Sequence, residues 1–232
     1  MFNVPPPYFK EVINYWAVAG WLTGGVMAGV LWLSAQIFPI PVAVALAVCS
    51  RILLTGALHE DGFADFLDGF GGGTDKERIL SIMKDSHIGT YGVIGLILYF
   101  LLLHQLLSYL PLTLAVIAIA TGDPLAKFIG SFMTFFLPYA RTADTNKNRL
   151  VYNRMSPIPL ITSAFFGLLP LLLLPDIRWL GSILFPMGMF AFLVILMRKK
   201  IGGYTGDCCG AVFILSELSY IACLSLLYHF WR

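Results

Sequence analysis

Apolar residues fall into seven runs along the chain, at roughly 14–37, 38–57, 91–109, 111–138, 157–174, 178–197 and 210–230. Most approach the roughly 20 residues that a helix needs to cross a bilayer. The pattern predicts an all-α, polytopic integral membrane protein with about seven transmembrane helices (six if two runs share a span). Residues 1–232 form a single membrane domain, without evident repeats. Pro39 and Pro41 open the second run. Thr121-Gly122-Asp123-Pro124 interrupts the fourth, where a kink or a division is expected. Gly20, Gly24, Gly25 and Gly29 in the first run permit close helix contact, and with it self-association into a homo-oligomer.

The longest polar interruption lies between the second and third runs. It begins with an acidic row, Glu60, Asp61, Asp65 and Asp68, which should extend the second helix by a turn or two. The glycines from Gly69 to Gly73 should then break that helix. Thr74-Asp75-Lys76-Glu77 reads as a capping box with Thr74 as N-cap. The short amphipathic helix it opens, in the 58–90 loop, carries Ile79, Leu80, Ile82 and Met83 on one side, suited to the membrane interface.

Composition strengthens the membrane reading. The chain is 58% hydrophobic and 12% charged, with a mean hydropathy of +0.81; soluble domains carry roughly twice that charge fraction. Met1 to Tyr8 is Pro-rich and uncharged, unlike a cleavable signal. The four cysteines, Cys49, Cys208, Cys209 and Cys223, suit neither zinc nor a disulfide framework and read as packing residues. The distribution of charge says more than its net value of +2. With seven spans, eleven of the fifteen Lys and Arg residues gather on the side that carries the acidic row. Only Arg178 and Arg232 face the other side, while Arg51 and Lys127 lie inside spans. By the positive-inside rule the N-terminus and the acidic row are cytoplasmic and the C-terminus is outside. This basic excess is topological, and no nucleic-acid partner is expected.

The acidic row is where chemistry is expected. Seven of the thirteen carboxylates lie between Glu60 and Asp85. On a helix at about 100° per residue, Asp61, Asp65 and Asp68 share a face and Glu60 flanks it. One carboxylate there would be a solvated helix end; a row of four repels itself and is relieved by a hard cation with oxygen ligands, Mg²⁺. The glycine run Gly71, Gly72 and Gly73 could present N–H groups to a phosphate. Lys84, Asp85 and His87 follow, and Pro138-Tyr139-Ala140-Arg141 ends the fourth run, with Lys147, Arg149 and Arg154 beyond it. Arg141 could clamp an anion. Gly202-Gly203-Tyr204-Thr205-Gly206-Asp207 reads as a tight turn against a substrate, or as the cap of the last helix through Thr205 or Asp207. Odd-numbered hairpins return all three polar stretches to one face, so the last loop should fold over the acidic row and bring Asp207 beside it. Carboxylates, cations and glycine turns at one membrane face suggest Mg²⁺-dependent phosphoryl transfer. His59 and His87 are candidate proton carriers; His104 and His229 read as packing residues.

The run HEDGFADFLDGFGGGTDKERILSIMKDSHIGTYG from His59 to Gly92 resembles the signature of the cobalamin synthase (adenosylcobinamide-GDP ribazoletransferase) family. Leu137-Pro138-Tyr139-Ala140-Arg141 and Gly202-Gly203-Tyr204-Thr205-Gly206-Asp207 follow in the expected order, so the resemblance covers nearly the whole chain. It implies a transferase that joins adenosylcobinamide-GDP to α-ribazole or its 5′-phosphate and releases GMP, with Mg²⁺, in the cytoplasmic membrane of a prokaryote. The implied metal ligands are Glu60, Asp61, Asp65 and Asp68. Catalytic roles would fall to Asp68, Asp207 and His59. Substrate would be met by Lys84, Asp85, His87, Arg141, Lys147, Gly71, Gly72, Gly73, Gly202 and Gly203. The sequence departs from the family pattern near Thr121–Pro124, where Asp123 and Lys127 stand in place of an expected Arg. A CDP-alcohol phosphotransferase is the nearer alternative, but Ala64 is followed by Asp65 where that motif has Arg. A cation transporter is the other, and it would place its ionisable groups near the bilayer midplane.

Overall fold

The computed structural model describes residues 11–141 and 156–231, so Lys147, Arg149 and Arg154 lie outside the described residues. A short 3-10 turn leads into α1 (Trp16–Ser34). α2 (Ile40–Thr55) starts at Pro39 and Pro41, whose fixed φ suits a helix N-terminus. It ends at Gly56, which takes a left-handed φ of 63°. Ala57 follows at φ 58°, and the chain turns by 90° into α3 (Leu58–Gly72). The acidic row therefore forms a separate crosswise helix and does not extend α2. The glycines do not break α3 early either, for it runs on through Gly69 to Gly72.

α4 (Lys76–Ile82) is capped by Asp75, whose side chain accepts the Arg78 N–H (2.9 Å). The N-cap is thus one residue later than the capping-box pattern suggests, and Thr74 Oγ1 donates to Asp75. The apolar side of α4 packs inward: Ile79 and Met83 are fully buried against α3. A Cβ on Gly69 would overlap Met83, and one on Gly73 would overlap Ile79.

α5 (Thr90–Tyr109) and α6 (Leu112–Ser131) are long apolar helices, and α6 adds a last turn at Met133–Phe136. α6 continues through Pro124 without dividing. α7 (Pro157–Leu168) passes into 3-10 turns at Leu169–Leu173, and a further 3-10 stretch precedes α8 (Leu184–Ile201). α9 (Gly206–Trp231) closes the chain. Among the described residues there are five helices long and apolar enough to cross a membrane, or six if α2 and α3 count as one bent span. This matches the six allowed for: α2, cut short at the elbow, and α7, which passes into 3-10 turns at Leu169, are apolar but fall short of that length.

α6 and α9 are the inner helices, and α1 lies along α6. Gly20 and Gly24 serve that contact: a Cβ on Gly20 would stand 2.6 Å from Pro124 Cα, and one on Gly24 2.9 Å from Asp123 Cβ. This pair holds the chain's own helices together, while Gly25 and Gly29 face open space. The polar stretches share one end of the bundle, where Trp16, His59 and Phe213 meet. The opposite end is closed by Tyr109 with His229 and by Trp179 with Trp231.

Candidate active site

Two loop segments distant in sequence are joined by backbone. Tyr139 and Tyr204 form an isolated parallel bridge: the Ala140 N–H donates to Tyr204 O (2.8 Å) and the Tyr204 N–H to Pro138 O (2.9 Å). Gly203 makes this approach possible, since a Cβ there would overlap the Pro138 carbonyl oxygen. Gly202 ends α8 with a left-handed φ of 69° and donates its N–H to Arg198 O. These two glycines are thereby accounted for by the bridge and the cap. The two tyrosine rings meet edge to face. Burial pushes the Tyr139 phenol up to about 12, with the Arg141 charge opposing the shift, so it stays a neutral donor at physiological pH.

The bridge delivers Arg141 to the start of α9. Its Nη2 lies 3.5 Å from Asp207 Oδ2. Arg141 is buried, and among the described residues its Nε and Nη2 have no hydrogen-bond partner. Thr205, not Asp207, occupies the N-cap position: its Oγ1 accepts the Cys208 N–H (3.4 Å) and donates to Asp207 Oδ2 (3.3 Å). The first turn of α9 crosses α3 with almost no space between them. A Cβ on Gly62 would stand 3.2 Å from Asp207 Cα, and one on Gly210 2.7 Å from His59 O. The last loop thus folds over the acidic helix as topology suggested. A cleft of about 360 Å³ opens at the crossing, and His59, Asp61 and Asp207 line it together with Val12, Ile13 and Trp16.

The other expected residues divide. Asp61 is exposed in the cleft, and Asp65 is half-buried one turn further along α3. Asp68 is buried, and its oxygens accept the N–H groups of Gly89 (2.6 Å) and Gly92 (2.8 Å). It holds the first turn of α5, and side chains at Gly89 or Gly92 would strike it. Glu60 is buried outside the cleft lining, and among the described residues its Oε2 has no hydrogen-bond partner. His59 packs between Trp16 and Phe213 with its ring tilted to both (centroids 5.7 and 4.6 Å). The glycine run is a packing face and offers no anion cradle. Gly71 abuts the Tyr91 ring, Gly71 and Gly72 are inside the helix, and the Gly73 N–H donates to Gly69 O (2.8 Å). Lys84, Asp85 and His87 are exposed beyond the far end of α3, outside the cleft lining. There His87 donates its backbone N–H to Asp85 and sets its ring Nδ1 2.7 Å from the same oxygen, holding the Asp85 carboxyl below its ordinary range. Among the described residues no three His, Cys, Asp or Glu side chains converge as a ready metal cage.

Beneath the cleft lies an ionic network that spacing had not revealed as such. Arg51 donates to Glu217 (2.5 Å) and Tyr99 (2.6 Å), and Lys127 donates to Asp123 (2.5 Å) and Thr23 (2.5 Å). Arg51 also lies 3.7 Å from Asp123. All four charged groups are almost fully buried. They pair with one another, and Phe213 separates them from His59: Lys127 Nζ stands 4.5 Å from its ring centroid.

The family model described as Cobalamin-5-phosphate synthase matches residues 2–225. A Shewanella baltica (strain OS185) protein named adenosylcobinamide-GDP ribazoletransferase is 37% identical, covering 93% of this chain and 87% of its own. Proteins of the same name from Shewanella oneidensis and Shewanella frigidimarina are 37% and 38% identical over 93% and 90% of this chain, covering 87% and 81% of their own. No solved structure matches. A match over nearly the full length, in a helical membrane protein whose three polar stretches meet at one end, shows that the chain belongs to the cobalamin-5-phosphate synthase family.

Proposed function

We propose that the protein is an Mg²⁺-dependent adenosylcobinamide-GDP ribazoletransferase that closes the nucleotide loop of cobalamin at the cytoplasmic face of a prokaryotic membrane. The observation that carries this reading is Arg141. A buried guanidinium with two nitrogens that make no hydrogen bond among the described residues, beside Asp207 and the N-terminus of α9, is built to receive an anion. The cleft next to it holds Asp61 and His59. The names of the relatives support the substrates, and the basic residues at this end support the orientation.

In the reaction, a ribose hydroxyl oxygen of α-ribazole or its 5′-phosphate bonds to the phosphorus nearest the cobinamide. The bond from that phosphorus to the bridging oxygen breaks, and GMP leaves with that oxygen. The hydroxyl proton passes to the other carboxylate of the cleft, Asp207. Arg141 grips the pyrophosphate and holds the phosphorus facing the acceptor. The donor set fits Mg²⁺: it consists of carboxylate oxygens alone, and this ion commonly binds through one or two carboxylates, substrate phosphates and water. Asp61 and Asp65 would hold it, and it would neutralise the phosphate oxygens. Asp68 is left to the α5 cap. Lys84, beyond the far end of α3, is free to meet the more distant part of so large a substrate.

The test is to incubate purified protein with adenosylcobinamide-GDP and either acceptor, with and without Mg²⁺, and measure GMP. Metal-dependent release is expected. Monodisperse protein that yields no GMP with either acceptor would overturn the assignment.

A further inference from the structure

Away from the cleft, α6 and α8 part to leave a slot of about 570 Å³. Phe128 and Phe132 line one wall, and Met187, Phe190 and Val194 the other. On α8 the lining positions recur every three or four residues from Met187 to Arg198, a single stripe about 16 Å long at 1.5 Å per residue. The only charged residue in the described lining is Arg198, at the lip. One of its nitrogens donates to Phe136 O (2.7 Å), which leaves further donors of the guanidinium for a ligand. Lys199 and Lys200 stand exposed beside it in the last turn of α8. The lip is at the end of the bundle that holds the polar loops, since α8 runs directly into Gly202 and the bridge.

We propose that this slot binds one acyl chain of an anionic glycerophospholipid, with the headgroup phosphate at Arg198 and Lys199. Length, apolar lining and position within a membrane-spanning pair of helices suit an acyl chain. Charge decides the headgroup: three cations in one helical turn complement a net negative lipid such as phosphatidylglycerol, whereas a zwitterionic lipid would add a fourth cation beside them. The long stem of Arg198 lets its head reach the phosphate layer while its methylenes stay on the slot wall. The slot shares no lining residue with the cleft, so the proposal stands independently of the reaction.

The test measures lipid retained by detergent-purified protein, using native mass spectrometry with phosphatidylglycerol and phosphatidylcholine of matched chains. Wild type should retain one phosphatidylglycerol per chain and hold phosphatidylcholine at least about tenfold more weakly, the worth of a charge-assisted contact. Arg198→Gln should weaken that preference, and neutralising Arg198, Lys199 and Lys200 together should remove it. Ala191→Trp, which fills the slot, should abolish retention; Ala191→Leu is the milder variant should the first not yield monodisperse protein. Equal retention of both lipids by wild type, or retention unchanged by filling the slot, would overturn the proposal. So would a dimer in size-exclusion chromatography that Ala191→Leu dissociates, because the occupant would then be a second copy of the chain.

Discussion

Arg141 and Asp207 meet at 3.5 Å because a two-bond backbone bridge between Tyr139 and Tyr204 brings their loops together. The pair is incomplete in a useful way. Asp207 offsets the charge of Arg141, yet Nε and Nη2 make no hydrogen bond among the described residues, a state that costs free energy until a ligand arrives.

Arg141→Ala should therefore weaken substrate binding by about 1.5–3 kcal/mol, roughly ten- to a hundredfold in KM. Arg141→Lys should recover only part of this, because an ammonium cannot present the same fork. Steady-state kinetics on both variants check the point; unchanged KM values would show that Arg141 does not touch substrate.

Asp61 and Asp68 are separated by two helical turns and by function. Asp61→Asn should abolish Mg²⁺-dependent turnover with little change in melting temperature. Asp68→Asn should do the reverse in kind, lowering stability by about 1–3 kcal/mol through the Gly89 and Gly92 N–H groups while leaving Mg²⁺ affinity intact. Thermal unfolding and Mg²⁺ titration of both variants separate the two roles.

Much of this was legible in the chain. The apolar runs located the helices, and hairpin parity placed three polar loops at one end. The elbow after α2 was not legible, because a glycine after an apolar run marks equally well a helix end, a kink or a loop. Asp61 and Asp68 were indistinguishable by spacing, since both lie on one face; only the return of Gly89 and Gly92 against Asp68 tells them apart. The Gly71–Gly73 run looked like an anion cradle because sequence shows the missing side chains and not what fills the room. Arg51 and Glu217 read as isolated charges within spans, and nothing local announces that they are partners.

Gly203→Ala should break the bridge, since backbone would have to move away from the Pro138 carbonyl. Activity should fall at least about tenfold, the loss of one charge-assisted contact through a displaced Arg141. Gly25→Ala, with nothing within 4 Å, should behave as wild type. GMP release from the two variants in parallel checks this.

The buried network should show strong coupling. Arg51→Met alone strands Glu217 and should cost about 3–5 kcal/mol, whereas Arg51→Met with Glu217→Leu should regain most of the loss. Melting temperatures of the two singles and the double form the cycle. Additive losses would mean that the groups do not depend on each other.

The right-angle turn at Gly56 and Ala57 also decides which way a substrate can lie. Had α2 continued straight, each successive carboxylate of the row would have stood farther out in the water, about 10 Å from Asp61 to Asp68. Laid at right angles to α2, the same residues run across its axis instead of along it. A ruler that would have prolonged α2 lies across its end. In the proposed reaction, a bulky corrinoid joined to a nucleotide can then lie along the row, across the end of the bundle.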